Sequence, residues 1–138
     1  MDSWQLITDP AQSGQHNMAQ DLKIFNDFEQ GNTLSTLRIY SWSPRCISVG
    51  YSQSLISQPG WECVKRPTGG GTVFHNEAEV TYSLVTAIDN PLLPKGLIPA
   101  YMKISEAVVV ALAKIGVKAE ISKKKPELGT RNAELCFS

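Results

Sequence analysis

Three consecutive glycines, Gly69, Gly70 and Gly71, interrupt an otherwise β-like stretch, and they constrain this chain's folding more than any other feature. Residues 65–83 read Lys-Arg-Pro-Thr-Gly-Gly-Gly-Thr-Val-Phe-His-Asn-Glu-Ala-Glu-Val-Thr-Tyr-Ser. Lacking Cβ atoms, the glycines can take positive φ and bring backbone N–H groups close to a ligand. Successive N–H groups in such a turn form a concave anion site. Lys65 and Arg66 stand just before it, and an arginine can hold a carboxylate or phosphate with two parallel bonds. The alternative is a tight hairpin beside a solvated pair of cations. The segment matches neither the Walker A pattern nor G-x-G-x-x-G, because no strand–glycine–helix unit surrounds it. Val73, Phe74, Val80, Tyr82, Leu84 and Val85 predict strand on its far side. An anion site here is therefore a strand–loop–strand site.

The 138 residues predict one domain, with 42% apolar content to supply its core. Thirteen basic residues balance thirteen acidic ones, so no global field attracts nucleic acid. The one basic run, Lys123-Lys124-Lys125 before Pro126, reads as a solvated loop. Cys46, Cys63 and Cys136 are odd in number and widely spaced, which argues against a disulfide framework or structural zinc. Cys46 and Cys63 read as small buried hydrophobes. His16 and His75 lack metal-ligand spacing, and no metal is expected. The start of the chain lacks a signal-peptide pattern, and no apolar run reaches the ~18 residues of a membrane span. A reduced, cytoplasmic protein without membrane partners is expected.

Apolar residues Met18, Leu22, Phe25 and Phe28 recur at helical spacing and predict a helix over 13–30, stopped by Gly31. Strands are predicted over 4–8, 34–42, 46–51, 61–66 and 79–86, with loops over 52–60 and 89–96. Ile104, Val108, Ala111, Leu112 and Ile115 mark a second helix ended by Gly116, and 117–121 reads as a last strand. That order predicts an α+β fold with a largely antiparallel sheet and at least two packed helices.

The run from Lys65 to His75, followed by Val80-Thr81-Tyr82-Ser83-Leu84-Val85, resembles the central signature of the lipoate–protein ligase and octanoyltransferase family, part of the biotin/lipoate protein ligase superfamily. Asn17-Met18-Ala19, the run from Thr36 to Pro44, and Ser48-Val49-Gly50 are similar to that family as well. Arg131-Asn132 and Cys136-Phe137 fall where cysteine-bearing members have their Cys-Phe. There are three departures. Lys65 stands where an arginine is common, Glu77-Ala78-Glu79 replaces a Gly-Glu-Leu-like turn, and the chain stops before a Lys-(Ile/Val)-x-Gly-Ser-Ala segment carrying an essential lysine. The resemblance therefore implies the N-terminal part of a catalytic domain over residues 1–138.

Two chemistries are implied on this scaffold. A ligase joins lipoate or octanoate to ATP, with Mg2+, as an acyl-adenylate that the lysine of a lipoyl acceptor domain attacks. Lys65 and Arg66 are then the candidates for carboxylate or phosphate, Gly69, Gly70 and Gly71 wall the acyl chain and adenylate, and His75 lines the same pocket or is a hydrogen-bonded structural residue. A transferase needs no ATP: Cys136 takes octanoate from an acyl carrier protein as a thioester and passes it to the acceptor. A non-catalytic fragment that binds ligand or acceptor is the third reading. The implied acceptors are lipoyl domains of 2-oxoacid dehydrogenases or the glycine-cleavage H protein. The ligase reading is the one the sequence favours.

Overall fold

The amphipathic segment after Asp9-Pro10 forms helix α1 (Gly14–Glu29), capped by Ser13, whose hydroxyl accepts from the His16 N–H at 3.2 Å. The computed structural model describes residues 3–122. Strand β1 (Trp4–Thr8) precedes α1, and β2 (Ser35–Tyr40) follows it after Gly31, whose φ of 73° suits only a residue without Cβ. Next come β3 (Cys46–Val49), β4 (Glu62–Lys65), β5 (Val73–His75), β6 (Thr81–Val85) and helix α2 (Leu97–Lys114). The chain divides after Thr86 into two compact units.

Among the described residues, the first unit holds two three-stranded sheets, ordered β1-β2-β6 and β4-β3-β5. Two helices with small sheets make this the expected α+β class. The pairing is more evenly divided than a largely antiparallel sheet: β1–β2 and β3–β4 are parallel, β2–β6 and β3–β5 antiparallel. The reason is connection length. Helix α1 joins β1 to β2 and the 50–61 loop joins β3 to β4, each long enough for a parallel return. The predicted strand over 79–86 is β6, and residues 73–75 form a separate strand in the other sheet.

Helix α1 packs on both sheets, but not with its most apolar stripe. Gly14, Asn17, Met18 and Ile24 are buried, whereas Leu22 and Phe25, expected on the inner face, are 45% and 47% exposed. Asn17 and Asp21 explain the rotation, because both bond the fully buried Arg38 of β2. Leaving that guanidinium unpaired would cost several kcal/mol, so the polar stripe goes inward and Leu22 and Phe25 swing aside. Met18, Tyr40, Trp42 and Cys46 form the apolar centre, with Val64 against it. Cys63 is half-buried rather than buried.

In the second unit α2 begins after Gly96 at φ 100° and ends before Gly116 at φ 83°, the left-handed stop that the sequence predicts. Ile104, Val108 and Leu112 are half-buried, while Ala111 and Ile115 are exposed. Residues 117–121 form no strand. Among the described residues, no helix is long and apolar enough to cross a membrane.

Candidate acyl-ligand loop and its buried support

Strands β4 and β5 do not pair with each other but flank β3 on opposite edges, with Lys65 beside Val49 and Val73 beside Ser48. The segment between them must therefore cross the C-terminal end of β3. It is not a hairpin. The crossing is tight: a Cβ on Gly50 would collide with the Gly70 carbonyl. Gly70 has φ 93°, and the Tyr51 N–H donates to the Thr68 carbonyl at 2.9 Å. Glycine at 50 and 70 is thus required by contact and by backbone conformation.

Arg66 lies under this crossing, only 7% exposed. Its Nη1 donates to the Ser48 carbonyl at 3.0 Å and to Ser48 Oγ at 2.7 Å. Its Nη2 donates to the carbonyls of Gly69 at 3.0 Å and Gly71 at 2.7 Å. In a planar trans peptide the C=O and the following N–H point in opposite directions. With the Gly69 and Gly71 carbonyls turned in to Arg66, the N–H groups of Gly70 and Thr72 point away from it. Arg66 therefore sorts the loop into an inner carbonyl face and an outer N–H face. The sequence offers Arg66 as a ligand for an anion; in the fold both of its terminal nitrogens donate to Ser48 and to the loop carbonyls. Lys65, at the end of β4, is exposed and is the cation of the pair that faces outward.

His75 is buried at 2% exposure and stacks on Trp42, ring centroids 3.9 Å apart. Its Nε2 lies 2.7 Å from Ser48 Oγ, and its Nδ1 lies 2.7 Å from Glu79 Oε1. Thr81 donates its hydroxyl to the same Glu79 oxygen at 2.9 Å and accepts from Trp42 Nε1 at 2.8 Å. Burial holds the His75 pKa below its usual 6.5, against the opposing pull of Glu79, and nearby Arg66 lowers it further. The imidazole is neutral at pH 7. His75 is thus hydrogen-bonded at both ring nitrogens and joined to the loop through Ser48 and Arg66. Sequence reasoning missed Ser48 and Glu79, although Glu79 stands four residues after His75 in a turn.

Two further polar anchors position the site's scaffold. Glu62 of β4 accepts from the N–H groups of Gly14 at 2.8 Å and Gln15 at 3.0 Å, placing a carboxylate on the positive end of α1. Arg38 donates to Asp9 at 2.7 Å and to Asp21 at 2.8 Å, and Tyr40 donates its hydroxyl to Asp21 at 2.9 Å. Burial, reinforced by Asp21, keeps the Tyr40 phenol protonated. Burial also pushes the Cys46 thiol up to about 12, so it stays protonated at neutral pH. Cys136, Arg131 and Lys123, Lys124 and Lys125 lie outside the described residues.

The lipoyl protein ligase A/B catalytic domain family matches residues 13–135, from the cap of α1 through the glycine crossing and beyond. The chain belongs to that family. The octanoyltransferase LipM of Moorella thermoacetica is 36% identical over 129 residues, covering 88% of this chain and 47% of that protein. A lipoate-protein ligase A solved with ATP superposes with a TM-score of 0.70 at 25% identity, covering 91% of this chain and 51% of that one. A lipoate protein ligase from Thermoplasma acidophilum, described as bi-partite and with its E2 lipoyl domain, reaches a TM-score of 0.69 at 22% identity, covering 89% of this chain and 49% of that one. The chain thus spans about half the length of the relatives it matches. Transfer of lipoate or octanoate is the chemistry that this family's members are named for.

Proposed function

We propose that the protein transfers an octanoyl group to the lysine of a lipoyl acceptor domain, with octanoyl carrier protein as donor and Cys136 carrying the intermediate thioester. The observation that carries this reading is the inward Arg66. A ligase must hold polyphosphate, yet the guanidinium beside the crossing donates to Ser48, Gly69 and Gly71. What the crossing offers outward is N–H, which suits the carbonyl oxygen of an acyl group as its negative charge develops. Named transferase relatives, one of them 38% identical over 128 residues, support the same choice. It reverses the preference for the ligase that the sequence alone gave.

The chemistry is two acyl transfers. The Cys136 thiolate attacks the donor thioester carbonyl, the carrier thiol leaves, and a new thioester holds the octanoyl group. The acceptor's neutral lysine amine then attacks that carbonyl, the amide forms, and the cysteine sulfur departs. The glycine crossing walls the acyl chain. The second reading, an ATP-dependent ligase, rests on the ATP-bound structural relative. It would use the outward Lys65 for phosphate, with Mg2+ among the phosphates.

The deciding experiment incubates the protein, expressed from its full reading frame, with octanoyl carrier protein and no ATP. A mass gain of one octanoyl group that is lost in Cys136→Ala supports the transferase. Pyrophosphate release from lipoate and ATP that survives Cys136→Ala overturns it in favour of the ligase. Binding of an octanoyl ligand with neither turnover would leave the non-catalytic reading.

A further inference from the structure

The hydrogen bonds beneath the glycine crossing have forced directions. Arg66 can only donate, so Ser48 Oγ accepts from it at 2.7 Å. Ser48 has a single hydroxyl proton, and the other partner of its oxygen is His75 Nε2 at 2.7 Å. The oxygen has lone pairs for both neighbours, so the direction is set from the far side of the ring: Nδ1 faces the Glu79 carboxylate, which only accepts, so the neutral His75 carries its hydrogen on Nδ1 and Nε2 accepts the Ser48 proton. Nδ1–H then donates to Glu79 Oε1 at 2.7 Å, and the Thr81 hydroxyl donates to the same oxygen. Each link leaves the next only one orientation. The order Glu79, His75, Ser48, Arg66, Gly69/Gly71 runs unbroken from the turn before β6 to the crossing.

We propose that Ser48, His75 and Glu79 are positioning residues, which hold Arg66 in place and thereby fix the outward N–H face of the Gly69–Gly71 crossing that receives the acyl group. Ser48 is fully buried, so the Ser–His–Glu arrangement is no nucleophilic triad: its serine oxygen is spent on Arg66. The inference deepens the acyl-transfer reading and rests on it for the ligand, though not for the loop's geometry.

The chain also makes the crossing sensitive to the imidazole's proton. The charged groups facing His75 are Glu79 from the turn before β6 and Arg66 from the end of β4; Trp42, Ser48 and Cys46 are its neutral neighbours. A second ring proton, on Nε2, would meet a Ser48 hydroxyl already aimed at it. Ser48 must then turn its hydrogen elsewhere, and two cations would share one oxygen. Loss of the Glu79 acceptor has a related effect, because the ring's hydrogen is no longer held on Nδ1.

The test pairs ring and amide 15N NMR with affinity for octanamide, which carries only the acyl chain and carbonyl, using Ser48→Ala, Glu79→Leu and Glu79→Gln. In the parent protein at pH 7.5, Nδ1 should carry the hydrogen and Nε2 should resonate as an unprotonated nitrogen. Ser48→Ala and Glu79→Leu should shift the Gly70, Gly71 and Thr72 amides and weaken binding on the order of tenfold, the effect of one lost positioned hydrogen bond. Glu79→Gln, which keeps an acceptor, should restore most of both. If Ser48→Ala fails to fold, Glu79→Leu decides, since its side chain is 30% exposed in the parent. Unchanged loop amides in a folded Ser48→Ala or Glu79→Leu protein, or an Nε2–H tautomer in the parent, overturns the proposal. The expected tautomer in the parent and the expected amide shifts in the variants, with no binding of octanamide to the parent, refute the acyl-transfer reading instead.

Discussion

Arg66→Lys keeps the positive charge at the crossing and removes the fork, so it separates a clamp from a ligand. The guanidinium makes four hydrogen bonds, two from Nη1 to Ser48 and two from Nη2 to Gly69 and Gly71. An ammonium is one nitrogen and cannot span both sides. At least one pair of acceptors is then released. Bonds from a charged donor are worth about 1.5–3 kcal/mol each, but Gly69 is exposed and its carbonyl can rehydrate. A net loss of ~1–3 kcal/mol in folding stability is expected on that basis. Ligand binding should fall about 10–100-fold, since each 1.4 kcal/mol of lost loop order is tenfold. The loss should be equal for anionic octanoyl-sulfamoyl-adenosine and neutral octanamide, because both place the same carbonyl and chain on the crossing. Calorimetric titration of both ligands at low and high salt is the assay. A phosphate-binding arginine would behave otherwise: lysine would retain much of the affinity, and the remaining loss would be confined to the anionic ligand and deepen with salt. That result would refute the clamp.

Gly50→Ala should destabilise the fold by ~1–3 kcal/mol and disturb the crossing, because the new methyl meets the Gly70 carbonyl, which is backbone and cannot swing away; an unchanged urea midpoint would contradict this. Stability should also fall as the pH drops below about 6.5. The unfolded imidazole then binds a proton that the buried, neutral His75 refuses, so stability is fully present above the unfolded value and is lost toward the depressed folded one. His75→Phe should flatten that part of the pH profile measured by urea titration. Glu62→Ala should cost about 1–2 kcal/mol by removing the acceptor of two α1 N–H groups, read as a lower thermal midpoint with a shared transition. Cys46 should resist alkylation at pH 8 while the half-buried Cys63 reacts; equal labelling in the native state would rule out the packing around Cys46.

The local facts were legible in the chain because local physics sets them. Ser13 and Gly31 bound α1, Gly116 ends α2, and Gly69–Gly71 mark a bare turn between strands, all through backbone conformation and capping that depend on a few adjacent residues. The signature around those glycines identified the family for the same reason: the residues that carry it are contiguous. Partners distant in sequence were not legible. That β4 and β5 flank β3, so that Gly50 must be small beneath Gly70, follows from which strand edges meet. That Leu22 and Phe25 face outward follows from Arg38 claiming Asn17 and Asp21 from another element. Arg66 shows the division most clearly. Its charge and its place beside the glycines are written in the sequence, and they point to an anion. Only the fold brings Ser48 and the Gly69 and Gly71 carbonyls around it, and a buried guanidinium directs four of its five N–H donors to the acceptors packed against it.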